Sequence, residues 1–268
     1  MHDLVAFNFR IVPSPEASLP ALSLANLYGT GVFTTIAVNE RESFLWEKHW
    51  RRIKSNAEKL KIDLTEFSDT TTRAAVDELI NKNNIANARA RITFFDKSSS
   101  KLWPFESTAT TSLLIMTGDL RPIPDNFRLT VSPFTINSRS PLAGIKSCNY
   151  LEKLLAMEEA KGRGFDEAIQ VNERGHVTSA TMANVFWLKN GGIHTPSLAT
   201  GCLPGTTREY VLENLECREV EAGVEELDSA EAIYLTSAGL GVTQVAEYNG
   251  RRLQSPPHPI TQLLTMYK

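Results

Sequence analysis

The sequence contains few cysteines, and their spacing is uninformative for metals or disulfides. Cys148, Cys202 and Cys217 are the three cysteines among 268 residues, and no CxxC pair occurs. An odd number of widely spaced thiols is typical of proteins that stay reduced in the cytoplasm. We therefore expect free thiols, a cytoplasmic location, and neither a disulfide framework nor a metal centre.

Long apolar runs and a strong net charge are also missing. No apolar stretch approaches the roughly 18 residues that a membrane-spanning helix needs. The segment MHDLVAFNFRIVPSPEAS has no charged region followed by a long apolar core, so we expect no signal peptide. The formal net charge of −3 gives no general attraction to nucleic acid or to an anionic membrane.

The composition is that of a globular protein, with 42% hydrophobic and 22% charged residues, and the length allows one large or two modest cores. The segment GDLRPIPD, which begins at Gly118, has the proline and glycine content of an interdomain linker. We predict an α+β protein with a smaller N-terminal α/β domain over residues 1–118, a linker over 119–126, and a larger C-terminal domain over 127–268.

Local patterns indicate several elements. Strands are predicted over Val32–Val38 and Ser43–Trp46, around a hairpin turn at residues 39–41. Helical spacing follows in Trp50, Ile53, Ala57 and Leu60. Residues 96–108 have the composition of a mobile loop, and residues 258–267 the pattern of a helix.

Three segments in the second half occur in a characteristic order. They are GIKSCNYLEKLLAMEEAKGRGFDEA from Gly144, GHVTSATMANVFWL over 175–188, and TPSLATGCLPGTTREY over 195–210. This order resembles the fold-type IV pyridoxal-phosphate (PLP) enzymes, which include branched-chain and D-amino-acid aminotransferases and aminodeoxychorismate lyase. The resemblance runs from about residue 5 to residue 250. It implies a fold of the D-amino-acid aminotransferase-like type, with PLP in the interdomain cleft.

PLP requires an amine, a phosphate-binding group, a partner for the pyridine nitrogen and a packed ring face. Lys146, which follows the loop SRSPLAG, matches the family's Schiff-base lysine; the alternative is a surface lysine. Arg52, in EKHWRRIKSNAEKL, matches the phosphate-binding arginine of the pattern H-L-x-R-L; the alternative is a structural salt bridge. We expect Arg51 to be solvated and His49 to be a packing or capping residue.

The segment Leu203–Arg208 matches the family pattern L-P-G-[IT]-T-R. Glycine and threonine at a helix start expose N–H groups that bind anions, which implies Thr206 and Thr207 as phosphate ligands and Leu203 as the ring-packing residue. An ordinary helix start is the alternative. Ser237, in YLTSAGLGVTQV, is near a third phosphate-contacting loop of the family.

Two other positions match family contacts that have structural alternatives. Tyr150 matches the tyrosine whose phenol hydrogen-bonds the cofactor's 3′-oxygen, although core packing would also explain it. Asn184 matches a family asparagine for which a structural hydrogen bond is an equal alternative.

The sequence departs from most relatives at the partner of the pyridine nitrogen. The family's G-x-V-T-E is Gly175–Ser179 here, so that Ser179 replaces a glutamate. A hydroxyl can hydrogen-bond a neutral nitrogen but supplies no negative charge, which weakens the ring as an electron sink. Elimination tolerates a weak sink because the electrons leave with the departing group. The departure therefore favours a lyase.

A second motif favours the same chemistry. The segment YGTGVFTT resembles the lyase form G-D-G-x-F-T-T, and its Thr34 hydroxyl could bind substrate or relay a proton, although threonine also suits a β-strand. The carboxylate-binding R-x-H of the D-amino-acid enzymes has no match in residues 93–99. Arg91 and Arg139 are conceivable substrate-carboxylate ligands, with structural or solvated roles as the alternatives.

The resemblance thus implies a PLP-dependent lyase that converts 4-amino-4-deoxychorismate to 4-aminobenzoate and pyruvate in folate synthesis. Lys146 would serve as covalent anchor and general base. An amino-acid aminotransferase of the branched-chain type is the first alternative, and a non-catalytic PLP or ligand carrier is the second. By family analogy we expect a homodimer that acts on a small molecule.

Overall fold

The computed structural model describes residues 1–98, 110–120, 122–254 and 257–263. The chain divides into two units, of which the first comprises Met1–Leu120 and Ile145–Asn149. The second comprises Arg121–Gly144 and Tyr150–Lys268. The sequence had placed residues 145–149 in the second domain. They group with the first unit because Ser147 forms an antiparallel bridge with Val32.

The first unit contains a six-stranded sheet in the order β2-β1-β6-β5-β3-β4, in which every pairing is antiparallel. Its elements are β1 (Leu4–Phe7), β2 (Arg10–Pro13), a 3-10 turn (Ser14–Glu16), α1 (Leu24–Tyr28), β3 (Gly31–Asn39), β4 (Glu42–Ser43), α2 (Trp46–Lys59), α3 (Asp69–Lys82), β5 (Ala88–Asp96) and β6 (Thr111–Gly118).

The β3–β4 hairpin confirms the predicted turn but shortens the second strand. Glu40 and Arg41 both have positive φ, as a two-residue hairpin turn requires, and Val38 pairs with Ser43. The predicted strand over Ser43–Trp46 was wrong beyond Ser43, because Trp46 is the first residue of α2. The predicted helical spacing is confirmed by Ile53 and Ala57, which are buried in the core of this unit.

The second unit contains two five-stranded sheets, in the orders β12-β11-β10-β13-β14 and β16-β15-β7-β8-β9. Its elements are β7 (Arg128–Val131), α4 (Leu151–Gly162), β8 (Glu167–Val171), β9 (Val177–Ala180), β10 (Asn184–Lys189), β11 (Gly192–Pro196), a 3-10 turn (Leu198–Thr200), α5 (Thr206–Asn214), β12 (Cys217–Val220), α6 (Glu225–Asp228), β13 (Ala232–Ser237), β14 (Gly241–Gln244), β15 (Glu247–Tyr248), β16 (Arg251–Arg252) and a 3-10 turn (Pro259–Thr261).

Two apolar clusters stabilise this unit. One contains Phe127, Ile169 and Trp187, and the other is built around Phe186 and Tyr234. Phe186 and Trp187 are neighbours on β10 and point to opposite faces of that strand, so one strand contributes to both clusters. The continuous buried pattern of β10 follows from this position between two apolar layers.

Some predicted features lie outside the described residues. Most of the predicted loop over 96–108 falls in residues 99–109, which the structure does not describe. The predicted helix over 258–267 is a 3-10 turn at Pro259–Thr261 in its described part, and residues 264–268 are not described. Within the described ranges, no helix combines the length and apolar character needed to cross a bilayer.

Candidate active site

Lys146 is presented by a short stretch of chain that pairs with the edge of β3. Phe33 N donates to Lys146 O at 3.0 Å, and Cys148 N donates to Gly31 O at 2.8 Å. These bonds flank the bridge between Val32 and Ser147. The side chains of Phe33 and Lys146 therefore share one face of the sheet, and Lys146 Nζ lies 4.6 Å from the centroid of the Phe33 ring.

Arg91 lies on the same aromatic ring. Its guanidinium carbon is 3.6 Å from the Phe33 centroid, and its Nε donates to Thr93 Oγ1 at 3.3 Å. Arg91 also contacts the Cys148 thiol. Burial raises the pKa of this thiol, and the charge and hydrogen bond of Arg91 lower it in part. Arg91 is thus part of the Lys146 surroundings, whereas Arg139 is exposed in the second unit.

The opposite side of β3 carries a polar cluster beneath α2, which we call the Thr34 cluster (Thr34, His49 and Arg52). Arg52 Nη2 donates to Thr34 Oγ1 at 2.8 Å, and Thr34 Oγ1 lies 2.6 Å from His49 Nδ1. Because the Thr34 oxygen accepts from Arg52, its hydroxyl proton can be donated to His49. His49 and Arg52 are three residues apart and share one face of α2.

His49 is held in its neutral form. Burial lowers its pKa well below the usual value, and the charges of Arg52 and Lys146 lower it further. A neutral imidazole has one acceptor nitrogen, which suits Nδ1 for the Thr34 hydroxyl. Because the charge of Lys146 lowers the His49 pKa, Lys146 interacts electrostatically with the Thr34 cluster within the first unit.

The segment Leu203–Arg208 forms the start of α5 in the second unit. Gly205 is the N-cap residue, and Thr206 and Thr207 are buried in the first turn. Asn184 Nδ2 donates to Leu203 O at 2.9 Å, which confirms that Asn184 makes a structural hydrogen bond. A Cβ at Gly205 would collide with Asn184 Oδ1, so this close approach requires glycine.

Arg208 makes contacts of its own within this unit. Its guanidinium donates to Glu219 Oε2 at 2.5 Å and to Pro196 O at 2.9 Å. The Arg208 side chain is buried, whereas that of Glu219 is 45% exposed. These contacts fix α5 against β11 and β12. The arginine of the L-P-G-T-T-R segment therefore has a structural role.

Two other predicted cofactor ligands of this unit, Ser237 and Tyr150, lie at the ends of elements. Ser237 ends β13, and its hydroxyl oxygen accepts from Gly239 N at 3.3 Å and Leu240 N at 3.2 Å. Its hydroxyl proton is still available for a ligand. Tyr150 is the N-cap residue of α4 and is half-buried, directly after the segment that groups with the first unit.

Ser179 is buried on β9, and its Cα partner on β8 is Gln170. The fully buried Glu167 precedes Gln170 on β8, and its carboxylate accepts from Thr181 N at 3.0 Å and from Met182 N at 3.1 Å. A Thr181 hydroxyl bond to the same carboxylate completes the anchoring of the chain after β9. The short strand that carries Ser179 is thus held by a buried carboxylate.

The structure places Lys146, Thr34 and Arg52 in the first unit, where Arg52 bonds Thr34 and Lys146 lies beside Phe33, and Tyr150, Ser179, Leu203, Thr206, Thr207 and Ser237 lie in the second. The sequence did not indicate the contributions of Phe33, of neutral His49 and of Lys153, which donates to Gln170. The three-residue spacing of His49 and Arg52 could have indicated their shared face. Among the described residues, no group of His, Cys, Asp and Glu could hold a metal ion.

Comparisons with known proteins identify the family of this chain. The profile of the amino-transferase class IV family matches residues 31–248. The aminodeoxychorismate lyase of Bacillus subtilis (strain 168) is 29% identical over 258 residues, which cover 92% of this chain and 88% of the relative. A probable branched-chain-amino-acid aminotransferase of Aquifex aeolicus (strain VF5) is 30% identical over 286 residues. The match covers 98% of this chain and 90% of the relative.

Solved structures share the fold. The branched-chain aminotransferase of the thermophilic archaeon Thermoproteus uzoniensis, solved with norvaline, superposes with a TM-score of 0.91 at 24% identity. The match covers 100% of this chain and 94% of that protein. The predicted α+β fold class is therefore confirmed.

The chain belongs to the class IV aminotransferase family, whose members are PLP-dependent enzymes. Membership in this family implies PLP as the cofactor and a small molecule as the substrate.

Proposed function

We propose that this protein is a PLP-dependent lyase that converts 4-amino-4-deoxychorismate to 4-aminobenzoate and pyruvate. Its relative in Bacillus subtilis is an aminodeoxychorismate lyase, and hydroxyl side chains occupy two positions that bear on the reaction type. These are Thr34 in the first unit and Ser179 in the second.

The residues present fit a phosphorylated aldehyde cofactor. Lys146 supplies the amine for covalent attachment, and Arg52 supplies a planar guanidinium suited to phosphate. The start of α5, where Gly205 leaves backbone N–H groups uncovered by a side chain, provides an anion site with Thr206 and Thr207. We assign the other contacts to Leu203 against the ring, Tyr150 at the 3′-oxygen, Ser179 at the ring nitrogen and Ser237 at the phosphate.

Lys146 acts twice in this proposal. When bound, the cofactor supplies an electron-withdrawing ring that stabilises negative charge on the adjoining substrate carbon. Lys146 Nζ would hold the cofactor covalently until the substrate amine binds there. It then removes the substrate proton next to that nitrogen. The C–O bond to the enolpyruvyl group breaks, and the leaving enolate becomes pyruvate when it regains a proton.

The Thr34 cluster prepares the phosphate-binding side of the site. Neutral His49 can accept a hydrogen bond from the Thr34 hydroxyl, whose oxygen accepts from Arg52 Nη2. Thr34 is fully buried, and both of these bonds engage its hydroxyl. The geometry favours a positioning role for Thr34 through Arg52, and the direct catalytic role for Thr34 stays a prediction.

The observation that carries the lyase assignment is the neutral hydroxyl of Ser179 at the buried position proposed for the nitrogen partner. A hydroxyl lacks the charge that a carboxylate would use to hold the ring nitrogen protonated. Weaker electron withdrawal is sufficient when a leaving group takes the electrons and the product becomes aromatic. Amino transfer makes a greater demand because the charge must persist until another carbon is protonated.

The test is a comparison of two reactions in the PLP-loaded protein. We expect 4-aminobenzoate and pyruvate to form in equal amounts from 4-amino-4-deoxychorismate, with little amino transfer from leucine to 2-oxoglutarate. Ser179→Glu should raise amino transfer relative to elimination. Unchanged selectivity in that variant would remove the argument from Ser179, and amino transfer without pyruvate release would reject the lyase.

The second candidate is an amino-acid aminotransferase of the branched-chain type. The 30% identity to the Aquifex aeolicus relative supports it across 98% of this chain. Sustained amino transfer from leucine, isoleucine or valine to 2-oxoglutarate would select this function.

We also propose a homodimer in the cytoplasm. Leu151, Leu154 and Leu155 form an apolar stripe at helical spacing on α4 and are 66%, 47% and 48% exposed. A second copy is the proposed cover for this stripe. The three cysteines are free, which agrees with a reducing compartment. Sedimentation at micromolar concentration should give twice the chain mass, and Leu151→Glu with Leu155→Glu should give the monomer.

A further inference from the structure

Lys153 is an amine on the inner side of α4 that the proposed reaction does not use. Its Nζ donates to Gln170 Oε1 at 2.8 Å, on the neighbouring strand β8. Burial lowers the pKa of Lys153, and the charges of Glu167, Glu152 and Cys202 oppose that shift. The amine is therefore enclosed next to the sheet, in contrast to Lys161, which is exposed at the end of the same helix.

Gln170 connects this lysine to the strand that carries Ser179. Both residues are buried, and they are direct Cα partners in the antiparallel pair of β8 and β9. Residues that face each other in such a pair project their side chains on one side of the sheet, with Cβ atoms about 4.5–5.5 Å apart. The Gln170 side chain thus bonds Lys153 through its amide oxygen and projects from the same side of the sheet as the Ser179 hydroxyl.

The lysine fixes the orientation of this amide. A lysine amine in its ammonium form donates only, so it selects the amide oxygen of Gln170 as its partner. The amide NH2 of Gln170 must then point away from Lys153. If that NH2 donates to Ser179 Oγ, the serine hydroxyl proton is directed to a further acceptor.

We propose that Lys153 sets the direction of a donor chain that runs through Gln170 to Ser179 and ends on an unprotonated ring nitrogen of the cofactor. This inference rests on the proposed function, because it uses PLP as the ligand of Ser179. Lys153 is a positioning residue here, since it acts through Gln170. Its positive charge acts in the same direction, because a nearby cation disfavours protonation of the ring nitrogen.

Reversing the charge at position 153 should reverse the direction of hydrogen-bond donation in this donor chain. In Lys153→Glu, the new carboxylate accepts from the Gln170 NH2, and the amide oxygen turns towards Ser179. The serine then donates to Gln170 and accepts from a protonated ring nitrogen. Lys161→Glu is the matched control, because it makes the same charge change at an exposed position of α4.

The experiment uses the full chain loaded with PLP that carries 15N at the ring nitrogen. Borohydride reduction and peptide mapping first establish attachment at Lys146. The 15N chemical shift between pH 6 and pH 8 then reports the protonation of the nitrogen. We expect the unprotonated shift in the wild type and in Lys161→Glu. In Lys153→Glu we expect the apparent pKa of the nitrogen to rise by about one unit or more.

The variant Gln170→Leu distinguishes an effect through the donor chain from a general electrostatic effect of the charge at position 153. Gln170→Leu removes the connecting amide, so Lys153→Glu should shift the nitrogen pKa less in that background than in the wild type. Should Lys153→Glu fail to fold, Lys153→Met supplies the same comparison, with a smaller shift in the same direction.

Three outcomes overturn the inference. A protonated nitrogen in the wild type contradicts it directly. Equal shifts in Lys153→Glu and Lys161→Glu remove the role of Lys153, and equal shifts with and without Gln170 remove the donor chain. Each of these leaves the PLP assignment intact, whereas failure to trap PLP at Lys146 overturns the proposed function together with the inference.

Discussion

The lysine region of the first unit and the α5 region of the second are built in different ways. In the first, Lys146, Phe33, His49 and Arg52 come from three separate stretches of chain and meet through strand pairing and side-chain hydrogen bonds. In the second, six consecutive residues, Leu203–Arg208, form a loop and a helix start. The difference shows that the residues of the first region are positioned by tertiary structure, whereas those of the second are positioned by local backbone geometry.

This difference predicts distinct responses to mutation. Changes to the Lys146 side chain should alter chemistry and cofactor affinity while the fold is retained, because its segment is held to β3 by backbone hydrogen bonds. Changes near α5 should alter stability as well, because Arg208 connects α5 to Glu219 and to the backbone of β11.

The largest effect is expected for Lys146→Ala. Loss of the amine removes both covalent attachment and the general base, so the rate of pyruvate release should fall by on the order of 10³-fold or more. The protein should lose the visible absorbance of bound PLP and remain folded by circular dichroism. Lys161→Ala, at an exposed lysine, should keep both properties; similar losses in the two variants would contradict the assignment of Lys146.

Arg52→Met tests the phosphate-binding role in the first unit. Charge-assisted hydrogen bonds contribute about 1.5–3 kcal/mol, so the Kd for PLP should rise by roughly 10–100-fold. Equilibrium dialysis of the variant measures this change. Arg51→Met is the matched control, because Arg51 is the adjacent arginine and is exposed. An equal loss of affinity in the two variants would mean that general positive charge explains the binding.

Arg208→Met tests whether the α5 region contributes more to the free energy of unfolding than the lysine region does. Removing its bonds to Glu219 and Pro196 should lower the free energy of unfolding by about 2 kcal/mol. Urea unfolding of the cofactor-free protein provides the measurement. Arg52→Met, which removes the bond to Thr34, should lower this quantity by about 1 kcal/mol. A stable Arg208→Met protein with weakened PLP binding would assign Arg208 to the phosphate instead.

The smallest effect concerns pH. Because the folded protein depresses the pKa of His49 below its ordinary value of 6.5, the unfolded chain binds a proton more readily as pH falls. The stability contributed by neutral His49 is complete above that value and is lost as pH falls below it. Between pH 7.5 and pH 5.5, the wild type should lose about 1 kcal/mol more than His49→Asn. Urea unfolding at both pH values checks this, and parallel losses would count against a buried neutral histidine.

The sequence predicted the contiguous features well. The helix over α2, the hairpin turn at residues 39–41 and the glycine helix start at Gly205 follow from local spacing and backbone preferences. The family was also recognisable, because its motifs retain their order along the chain.

Features that depend on distant contacts were not predictable in the same way. The grouping of residues 145–149 with the first unit depends on backbone bonds to β3, which side-chain patterns do not encode. The early start of α2 at Trp46 follows a positive φ at Leu45, where sequence preference alone suggested a continuing strand. Lys153 was missed because its partner Gln170 lies on another element.

The pairing of residues 146–148 with β3 limits how the chain can tolerate changes in length. Side chains on a paired strand alternate between faces, so a shift of one residue would place Ser147 or Ile145 above Phe33 in the position of Lys146. An insertion or deletion in residues 132–144 is therefore tolerated when the turns before Ile145 absorb it. The same change transmitted to Ser147 would leave every residue type intact and move the Lys146 amine away from the Phe33 ring.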